Sequence, residues 1–552
     1  MPYTTELAGL KNFVPARWQL TNSPWQISSF SYAGARLALL TFLTPVFFCF
    51  GADYYFAPTS AGSNSGASCS NAYAYSDPTN GWNTSAKQTA GNKIHICPGT
   101  YSGAVGASPL MTISHSGSSG NPLTILGEPG SEVFSAPYWG GTGAIYINGN
   151  YVTLNGQGNI TIENTLNGTS GGACLAGPCT TQGNTVGLQV GNTSGGVPVA
   201  NVTVENFTMT HLYVHTPYVN DSAGNNSAGI QACANTSLIT HITLDNVDSG
   251  ISNGGCTGLS NLEISFSTIT YSNHSVTIGI NSGTVTGVLV HDNTITNAYN
   301  WDEPDNGYHH NGIFTFADPA GTITGQYYNN FIGGQFSSDT SYGASHTTAL
   351  IFLEYDNANS YIFNNVLALS SGDLYGVANG LITIGGSSAP QYVYNNTFYE
   401  TRDNGDECVR GGNNSLDFRN NVVISCGMGV SWSGTIPSFT ADYNVYYGLH
   451  GSGPWIWQTD QFINFSQWKA DCGCDAHSIN GTSPNLDANF NPLAGSVAIG
   501  FGANLTSLGI SALDFDKAGI ARANTGNWTV GALIGSGATL PNSPTNLSVT
   551  AR

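Results

Sequence analysis

The sequence predicts an all-β fold, a parallel β-helix in which short strands stack coil upon coil. Three observations predict it: an Asn-centred segment that recurs along the chain, a composition poor for helices, and strand-like alternation through the middle of the sequence. Together they argue against a helical or doubly wound α/β protein.

The recurring segment is a short alternating strand, then an Asn, then a second short strand, as in VTVENFTM, YIFNNVLA and YVYNNTFY. Copies recur 21 to 42 residues apart, a period typical of solenoids, whose coils bury their apolar faces against their neighbours. An Asn at the same turn of each coil predicts a ladder of stacked side-chain amides. The alternative is a β-sandwich with ordinary Asn-containing turns. The shared position falls at Asn164, Asn206, Asn246, Ser267, Asn293, Asn330, Asn365, Asn396, Asn421 and Asn444.

The composition supports strands over helices. The 552 residues include 70 Gly, and only 8% are charged, whereas helices favour Ala, Leu, Glu, Lys and Arg. Between residues 100 and 450 period-2 runs are frequent and no helical period of useful length stands out. We therefore expect one large strand-built core.

Two stretches resemble a known superfamily. DYYFAPTSAGSNSGASCSNAY with KIHICPGTYSG resembles the opening of secreted right-handed parallel β-helix proteins of the pectate-lyase-like superfamily, and the region DAHSINGTSPNL…VGALIG resembles their closing segment. The likeness spans residues 53–535 and departs at Gly500 and at residues 528–531. It implies a right-handed, single-stranded helix with an N-terminal cap and an irregular C-terminal closing segment. It does not imply one activity, because the superfamily includes lyases, glycoside hydrolases, esterases, epimerases and binding proteins.

Four segments are expected. Residues 1–51 form an N-terminal extension plus signal peptide with its apolar region at 37–50, and a retained membrane anchor is the competing interpretation. Residues 52–460 form the β-helix with its N-terminal cap, and residues 461–535 form the C-terminal capping segment. Residues 536–552 form a flexible Pro/Ser-rich linker or tail. Export to the extracellular space, with association to the cell surface left open, follows from the signal peptide.

Ten of the eleven cysteines lie beyond the signal region, an even number that suits a disulfide framework. Cys233–Cys256 and Cys408–Cys426 are each separated by about one short coil, and strands of adjacent coils lie ~4.8 Å apart, within disulfide reach. We also expect Cys69–Cys97 in the N-terminal cap and Cys174–Cys179 in a loop. Cys472 and Cys474 are expected not to pair, because they are too close in sequence.

The net charge of −20, with only 12 Lys plus Arg, argues against nucleic acid as a partner. It also disfavours a strongly polyanionic ligand unless calcium bridges the two. We expect a monomer without a stable membrane span once the signal is removed.

Longer connections and the densest gathering of titratable residues fall between residues 301 and 410, which predicts a groove there. His274, His310 and His346 are spaced by 36 residues, each just ahead of an apolar strand, so we expect His310 and His346 to approach each other. The alternative is a polar loop with solvated acids. The candidate catalytic residues are His310, His346, Glu354, Asp302 and Arg410. The candidate substrate-binding residues are Trp301, Tyr308, His309 and Asp305.

Arg410, in ECVRGG, is expected on the same flank as Glu354, because its strand follows LITIGG in register. The resemblance implies an Arg or Lys base acting with calcium, and the carboxylates of residues 400–407 supply oxygen ligands for such an ion. The sequence leaves both the metal and the calcium requirement open. Asp302 or Asp305 with Glu354 would supply the carboxyl pair of a glycoside hydrolase.

The functional hypothesis is a secreted protein that acts on or binds extracellular polysaccharide, as a lyase- or hydrolase-like enzyme with its groove over residues 301–410. The competing hypothesis is a non-catalytic surface or adhesion protein that binds glycans.

Overall fold

The computed structural model describes residues 51–165, 185–193, 196–213, 227–298, 311–317, 320–336, 349–356, 358–369, 380–386, 389–400, 407–451 and 453–535. The expected signal peptide and the expected C-terminal tail lie outside these residues. A helix suited to crossing a membrane is absent from the described residues, whose α-helix α1 (Phe465–Cys472) has 8 residues.

The N-terminal half of the described chain is built from strands, several of which continue around corners. They are β1 (Asp53–Ala57), β2 (Tyr73–Ala74), β3 (Lys93–Ile96), β4 (Gly99–Ser102), β5 (Met111–Ile113), β6 (Leu123–Gly127), β7 (Glu132–Ala136), β8 (Ile145–Ile147), β9 (Val152–Asn164), β10 (Val186–Val190), β11 (Val199–Ala200), β12 (Val202–Leu212), β13 (Ala228–Ala232), β14 (Ala234–Asn235), β15 (Ser237–Ser252), β16 (Leu259–Ser260), β17 (Leu262–Ser265), β18 (Thr268–Ile280) and β19 (Gly283–His291).

The C-terminal half consists of shorter strands, about three per coil. They are β20 (Thr294–Thr296), β21 (Asn311–Ala317), β22 (Gly321–Tyr328), β23 (Phe331–Gly334), β24 (Ala349–Glu354), β25 (Ser360–Phe363), β26 (Val366–Leu369), β27 (Ile382–Gly385), β28 (Gln391–Tyr394), β29 (Thr397–Tyr399), β30 (Glu407–Gly412), β31 (Leu416–Arg419), β32 (Val422–Ile424), β33 (Met428–Ser433), β34 (Phe439–Asp442), β35 (Val445–Tyr447), β36 (Trp455–Gln458), β37 (Asp460–Ile463) and β38 (Ile479–Asn480).

The strands pair in parallel with their counterparts in the next coil, and together they form a right-handed parallel β-helix with three long sheets. Sheet 1 runs through β21, β24, β27, β30, β33 and β36. Sheet 2 runs through β19, β22, β25, β28, β31 and β34. Sheet 3 runs through β20, β23, β26, β29, β32 and β35. The predicted fold class is confirmed, and the β-sandwich alternative is excluded.

Alternation along each strand separates the lumen of the helix from its outer surface. In β21, Ile313 and Thr315 are fully buried in the lumen, whereas Phe314 and Phe316 point outward. Residues in register with Ile313 continue the apolar core from coil to coil: Ile230, Ile251, Val276, Ile351, Ile382, Val409, Val430 and Trp455. The repeated apolar position therefore builds the core by stacking like on like.

An Asn ladder connects the coils at the corner between sheets 2 and 3. Asn330 Nδ2 donates to Asn365 Oδ1 at 3.0 Å, and the same oxygen accepts the Asn330 backbone N–H at 2.9 Å. Asn365 repeats both bonds to Asn396, and its amide also donates to the Tyr327 carbonyl at 2.8 Å. The predicted ladder is confirmed for Asn293, Asn330, Asn365, Asn396, Asn421 and Asn444.

The earliest members assigned from the sequence do not belong to the ladder. In these two coils the residues in register with the ladder are Phe207 and Ile242. Asn206 lies one residue before Phe207, and Asn246 lies four residues after Ile242. Asn164 bonds instead to the Trp139 backbone and to Thr185. Ser267 forms the transition, because its hydroxyl accepts from Ile242 N at 3.1 Å and its own N–H donates to Asn293 Oδ1 at 3.0 Å. The prediction was wrong here because these long strands continue around two corners, each of which accepts Asn.

Aromatic residues close both ends of the helix. At the N-terminal end, Trp82 stacks on Tyr101 and Phe134 with ring centroids 5.2 and 6.0 Å apart. At the C-terminal end, the antiparallel hairpin β36–β37 and helix α1 cover the last coil, and Trp468 is fully buried. Such caps keep the terminal coils from exposing an open strand edge.

The remaining C-terminal residues, 475–535, form a closing segment along the outside of sheets 2 and 3. Leu505, Leu513 and Trp528 of this segment pack against Phe363 and Tyr394 of sheet 2. Asn364 Nδ2 donates to the Phe515 carbonyl at 2.7 Å, and the buried Arg522 donates to Asn364 Oδ1 at 2.9 Å. The segment is thus bonded to the outside of the ladder corner.

Three predicted disulfides are present in the structure, namely Cys69–Cys97, Cys233–Cys256 and Cys408–Cys426, with Cα separations of 5.5, 5.5 and 5.7 Å. Cys174 and Cys179 lie outside the described residues.

The expectation that Cys472 and Cys474 do not pair was wrong, because they form a disulfide with their Cα atoms 5.2 Å apart. They flank Gly473, which ends α1 in the left-handed conformation (φ 62°). This turn brings two nearly adjacent side chains to the same side of the backbone.

We expect Asn365→Ala to lower the free energy of unfolding by about 2–3 kcal/mol, because donors and acceptors of the buried ladder lose their partners. Urea and thermal unfolding followed by circular dichroism would measure this loss. Asn489→Ala, a change at an exposed Asn, serves as the control. Equal stability of the two variants would contradict a stabilising role for the ladder.

Candidate functional site

The outer face of sheet 1 carries the described part of the predicted groove. One column of outward side chains begins with amide and hydroxyl groups, continues with two Phe rings, and ends with a guanidinium between two hydroxyl groups. Its members in order are Gln231, Ser252, Thr277, Phe314, Phe352, Thr383, Arg410 and Ser431.

Three Phe rings form the middle of this face. Phe314 lies 5.4 Å from both Phe316 and Phe352, measured between ring centroids. Phe316 lies over Gly279 of the preceding coil, where a Cβ atom would come within 2.0 Å of the ring. Glycine at 279 is therefore what allows the Phe316 ring to lie flat on the sheet, and the three rings form a continuous aromatic patch.

Charged side chains border the aromatic patch. Glu354 pairs in register with Phe316, and Arg410 stands two coils from Phe352, about 10 Å along the helix axis. The Arg410 guanidinium lies 3.8 Å from the Glu407 carboxylate. Glu354 and Arg410 thus share one face of one sheet, as their positions after consecutive apolar strands predict. Their proposed catalytic roles stay a prediction.

The remaining candidate residues lie outside the described residues, in the connections that lead from sheet 3 into sheet 1. They are Trp301, Asp302, Asp305, Tyr308, His309, His310 and His346. Two of these connections follow sheet 3 strands, after Ala298 and after Phe336. They enter sheet 1 at Asn311 and at Ala349, which pair with each other in consecutive coils.

The histidine spacing of 36 residues does not match the strand register. His274 lies inside β18 and pairs with Asn311, and Asn311 pairs with Ala349. The true offsets are therefore 37 and 38 residues, and His274 is in register with an Asn and an Ala. Its ring lies 5.4 Å from Phe314, which places it beside the aromatic patch.

A buried carboxyl lies in the lumen behind this face. Asp356 is fully buried and accepts a hydrogen bond from Thr315 Oγ1 at 2.8 Å. Burial, with a smaller contribution from the nearby Glu354 carboxylate, raises the pKa of Asp356 to about 8. Asp356 is therefore protonated at neutral pH, and it lies in the lumen, not on the outer face.

Sheet 2 holds a second group of titratable residues that the sequence did not single out. His291 Nδ1 lies 2.7 Å from Asp292 and its Nε2 lies 3.2 Å from Glu263. The His291 ring stacks on Tyr328 at 4.6 Å. Burial, together with Asp292 and Glu263, raises the pKa of Tyr328 to about 12. The segment VLVHDNTIT contains the only local signal, a His-Asp pair just before a ladder Asn.

A similar group occurs near the N-terminal cap. His95 lies 2.6 Å from Glu128 and 3.3 Å from Asp53, and its ring stacks on Tyr55 at 4.2 Å. A His held by two carboxylates thus occurs twice among the described residues. Among the described residues, no group of three or more His, Cys, Asp or Glu side chains is arranged to hold a metal ion.

With its fold and outer faces defined, the chain can be compared with known proteins. No protein-family model matches the sequence, and no curated protein sequence matches it. Solved structures of similar architecture include the pectate lyase Pel9A, at 16% identity and a TM-score of 0.40, covering 82% of this chain and 92% of that one.

Two further structures have a similar architecture. XylC, solved in complex with xylose, has 10% identity and a TM-score of 0.45 over 87% of this chain and 98% of its own. The GH136 lacto-N-biosidase from Eubacterium ramulus has 12% identity and a TM-score of 0.42 over 78% of this chain and 68% of its own. At these identities the similarity concerns the architecture and not an activity.

We expect Asp356→Asn to change how stability depends on pH. The unfolded carboxyl loses its proton near pH 4 and the folded one near pH 8, so the wild type loses stability as pH rises between these values. The variant lacks this loss. The melting temperature of the variant minus that of the wild type should therefore increase from pH 5 to pH 8.

Thermal unfolding at the two pH values tests this expectation. The comparison is made between variant and wild type because Glu132, whose pKa burial raises to about 7, adds a slope of the same sign to both. Asp460→Asn, at an exposed carboxyl, is the control. A difference between variant and wild type that stays constant with pH would show that Asp356 is already ionised in the folded protein.

Proposed function

We propose that this protein binds and cleaves an extracellular polysaccharide on the outer face of sheet 1. The observation that carries the proposal is the placement of Phe314, Phe316 and Phe352 beside Glu354 and Arg410 on one face. Aromatic rings offer flat apolar surfaces to sugar rings, while a few polar groups fix orientation and supply chemistry. A solenoid repeats such a face from coil to coil, which suits a chain-like ligand.

The chemistry divides into two routes. In a lyase reaction, a base takes the proton next to a uronic carboxyl, the electron pair forms a C=C bond, and the bond to the neighbouring sugar breaks. In a hydrolase reaction, one carboxyl protonates the leaving oxygen while a second assists water or attacks the sugar. Glu354 is proposed as one carboxyl, with Asp302 as its partner and His310 and His346 as proton carriers.

Arg410 is better suited to anchoring substrate than to removing a proton. Its guanidinium lies 3.8 Å from the Glu407 carboxylate, and a guanidinium stays charged and matches the planar geometry of a carboxylate. In a chain of net charge −20, it is a natural contact for a carboxylate or hydroxyl of the sugar chain. Trp301, Tyr308, His309 and Asp305 are proposed to complete the sugar contacts.

We also propose that the protein is exported. The disulfides Cys69–Cys97, Cys233–Cys256 and Cys408–Cys426 support this, because such bonds persist in oxidising compartments. The N-terminal extension plus signal peptide of residues 1–51 and the monomeric state remain parts of the proposal.

A polysaccharide panel tests the proposed function, with ultraviolet absorbance for unsaturated lyase products and reducing-end release for hydrolysis. On the substrate that is turned over, we expect Glu354→Gln to lower kcat/KM by about 100-fold or more, as loss of an acid–base group does. Arg410→Ala should raise KM more than it lowers kcat, because it removes a binding contact.

Asp460→Asn removes an exposed charge from the end hairpin and is the matched control, with unchanged rates expected. Turnover by Glu354→Gln at the wild-type rate would remove Glu354 from the mechanism. Glycan binding on the sheet 1 face without turnover on any substrate would instead establish a non-catalytic binding protein.

A further inference from the structure

The corner between sheets 2 and 3 carries a second column of side chains on its outer surface. The residue just before each ladder position has the left-handed backbone conformation, which Asn adopts more readily than other non-glycine residues. The column runs through Asn206, His241, Phe266, Asp292, Asn329, Asn364, Asn395, Asn420 and Tyr443, with φ between 48° and 61°.

At three positions that the closing segment covers, the residue is Asn and its side chain bonds to the segment, whereas Tyr443 stacks on His477 of the segment at 4.8 Å. Asn395 Nδ2 donates to the Thr529 carbonyl at 3.0 Å. Asn420 exchanges two bonds with Ala503, both at 2.8 Å. Asn364 bonds to Phe515 and Arg522, as described above. In this stretch both the backbone preference and the side-chain contacts explain why Asn is present.

Phe266 breaks this pattern at a place that the closing segment does not cover. A bulky residue with φ of 48° is conformationally costly, and the Phe266 side chain is also 53% exposed. Its ring stacks on His241 of the preceding coil, with centroids 5.4 Å apart and an angle of 16° between the planes. Neither backbone preference nor burial accounts for an aromatic residue here, and the pair of stacked rings that it forms with the exposed His241 faces solvent.

Polar groups with fixed positions surround this ring. His291 stands edge-on to Phe266 at 5.9 Å, and both of its nitrogens face the carboxylates of Glu263 and Asp292. The Ser265 hydroxyl lies within hydrogen-bonding distance of Glu263 Oε1, at 3.3 Å, and of Thr240 Oγ1, at 3.2 Å. Glu263 keeps 38% of its side chain exposed, so its carboxylate is both oriented and accessible. The exposed large apolar residues of the described chain include none from the similar His95 group, so that group lacks a counterpart of Phe266.

We propose that His241 and Phe266 form a stacking platform for an uncharged pyranose ring, and that Glu263 accepts hydrogen bonds from its hydroxyl groups. The exposed ring supplies the flat apolar contact, and the oriented carboxylate supplies specificity. The carboxylates of Glu263 and Asp292 repel uronic acids, so this site selects neutral units. It lies on a different corner from the sheet 1 face and does not depend on the function proposed for that face.

Isothermal titration calorimetry of the full chain with cellohexaose and xylohexaose tests the proposal, with trigalacturonate as the charged comparison. We expect one of the neutral hexasaccharides to bind. Phe266→Asn should weaken that binding about tenfold or more, because aromatic anchors carry much of a binding energy. The same variant should melt at the wild-type temperature or above, since Asn suits the left-handed conformation. Glu263→Gln should also weaken binding, and trigalacturonate should not bind at this corner.

The matched control is Phe462→Asn, which replaces another exposed Phe of left-handed conformation, on the end hairpin and without these neighbours. Its binding should equal that of the wild type. Arg410→Ala separates the two faces, because neutral-sugar binding at the corner should survive that change. Absence of neutral-sugar binding by the wild type, or equal binding by Phe266→Asn and the wild type, would overturn the proposal.

Discussion

Hydrogen bonds between side-chain amides of consecutive coils hold the helix in register from Asn293 to Asn444, and the outer faces of these coils depend on that register. Each ladder oxygen accepts both the backbone and the side-chain N–H of the preceding Asn, as between Asn330 and Asn365. This pairing holds one corner of each coil from Asn293 to Asn444 in the same place, although these coils range from 23 to 37 residues in length. Additional residues are therefore accommodated in the connections into sheet 1, beside the proposed polysaccharide face.

Pairs of adjacent Asn residues perform two tasks at this corner. In Asn364-Asn365 and Asn420-Asn421 the second residue builds the ladder inside, while the first turns outward and bonds to the closing segment. Because successive side chains point to opposite sides of the wall, one dipeptide connects the core and the outer layer. Where the closing segment does not cover this corner, the outward side chain at Phe266 is an aromatic ring that is exposed to solvent.

The two proposed faces differ in charge and in surroundings. The sheet 1 face combines Phe rings with Arg410, a cation in a strongly acidic chain, and receives the longest connections. The Phe266 corner has carboxylates and a His fixed on a rigid sheet. Rigid strands hold such groups more accurately than loops do. The first arrangement suits a reacting or charged sugar, and the second suits a neutral unit further along a chain.

The sequence alone was enough to predict the coil repeat, the ladder from Asn293 onward, three disulfides, and the shared flank of Glu354 and Arg410. These are consequences of local alternation and of coil spacing, which are visible in one dimension. It did not determine which Asn of the long early strands faces the lumen, since Asn164, Asn206 and Asn246 lie at corners that look alike in sequence. The predicted histidine register failed for a different reason. Residues in register in these coils are 37 and 38 positions apart, whereas the histidines are 36 apart.

The remaining features depend on contacts between segments that are far apart along the chain or that lie at its turns. A distant segment covers part of one corner, a left-handed Gly473 brings Cys472 to Cys474, and Glu263 reaches His291 across a coil boundary. Each of these contacts depends on the direction of a side chain after the chain has wound. Alternation predicts which face a residue joins, but the path of the connections and of the closing segment decides what that residue meets.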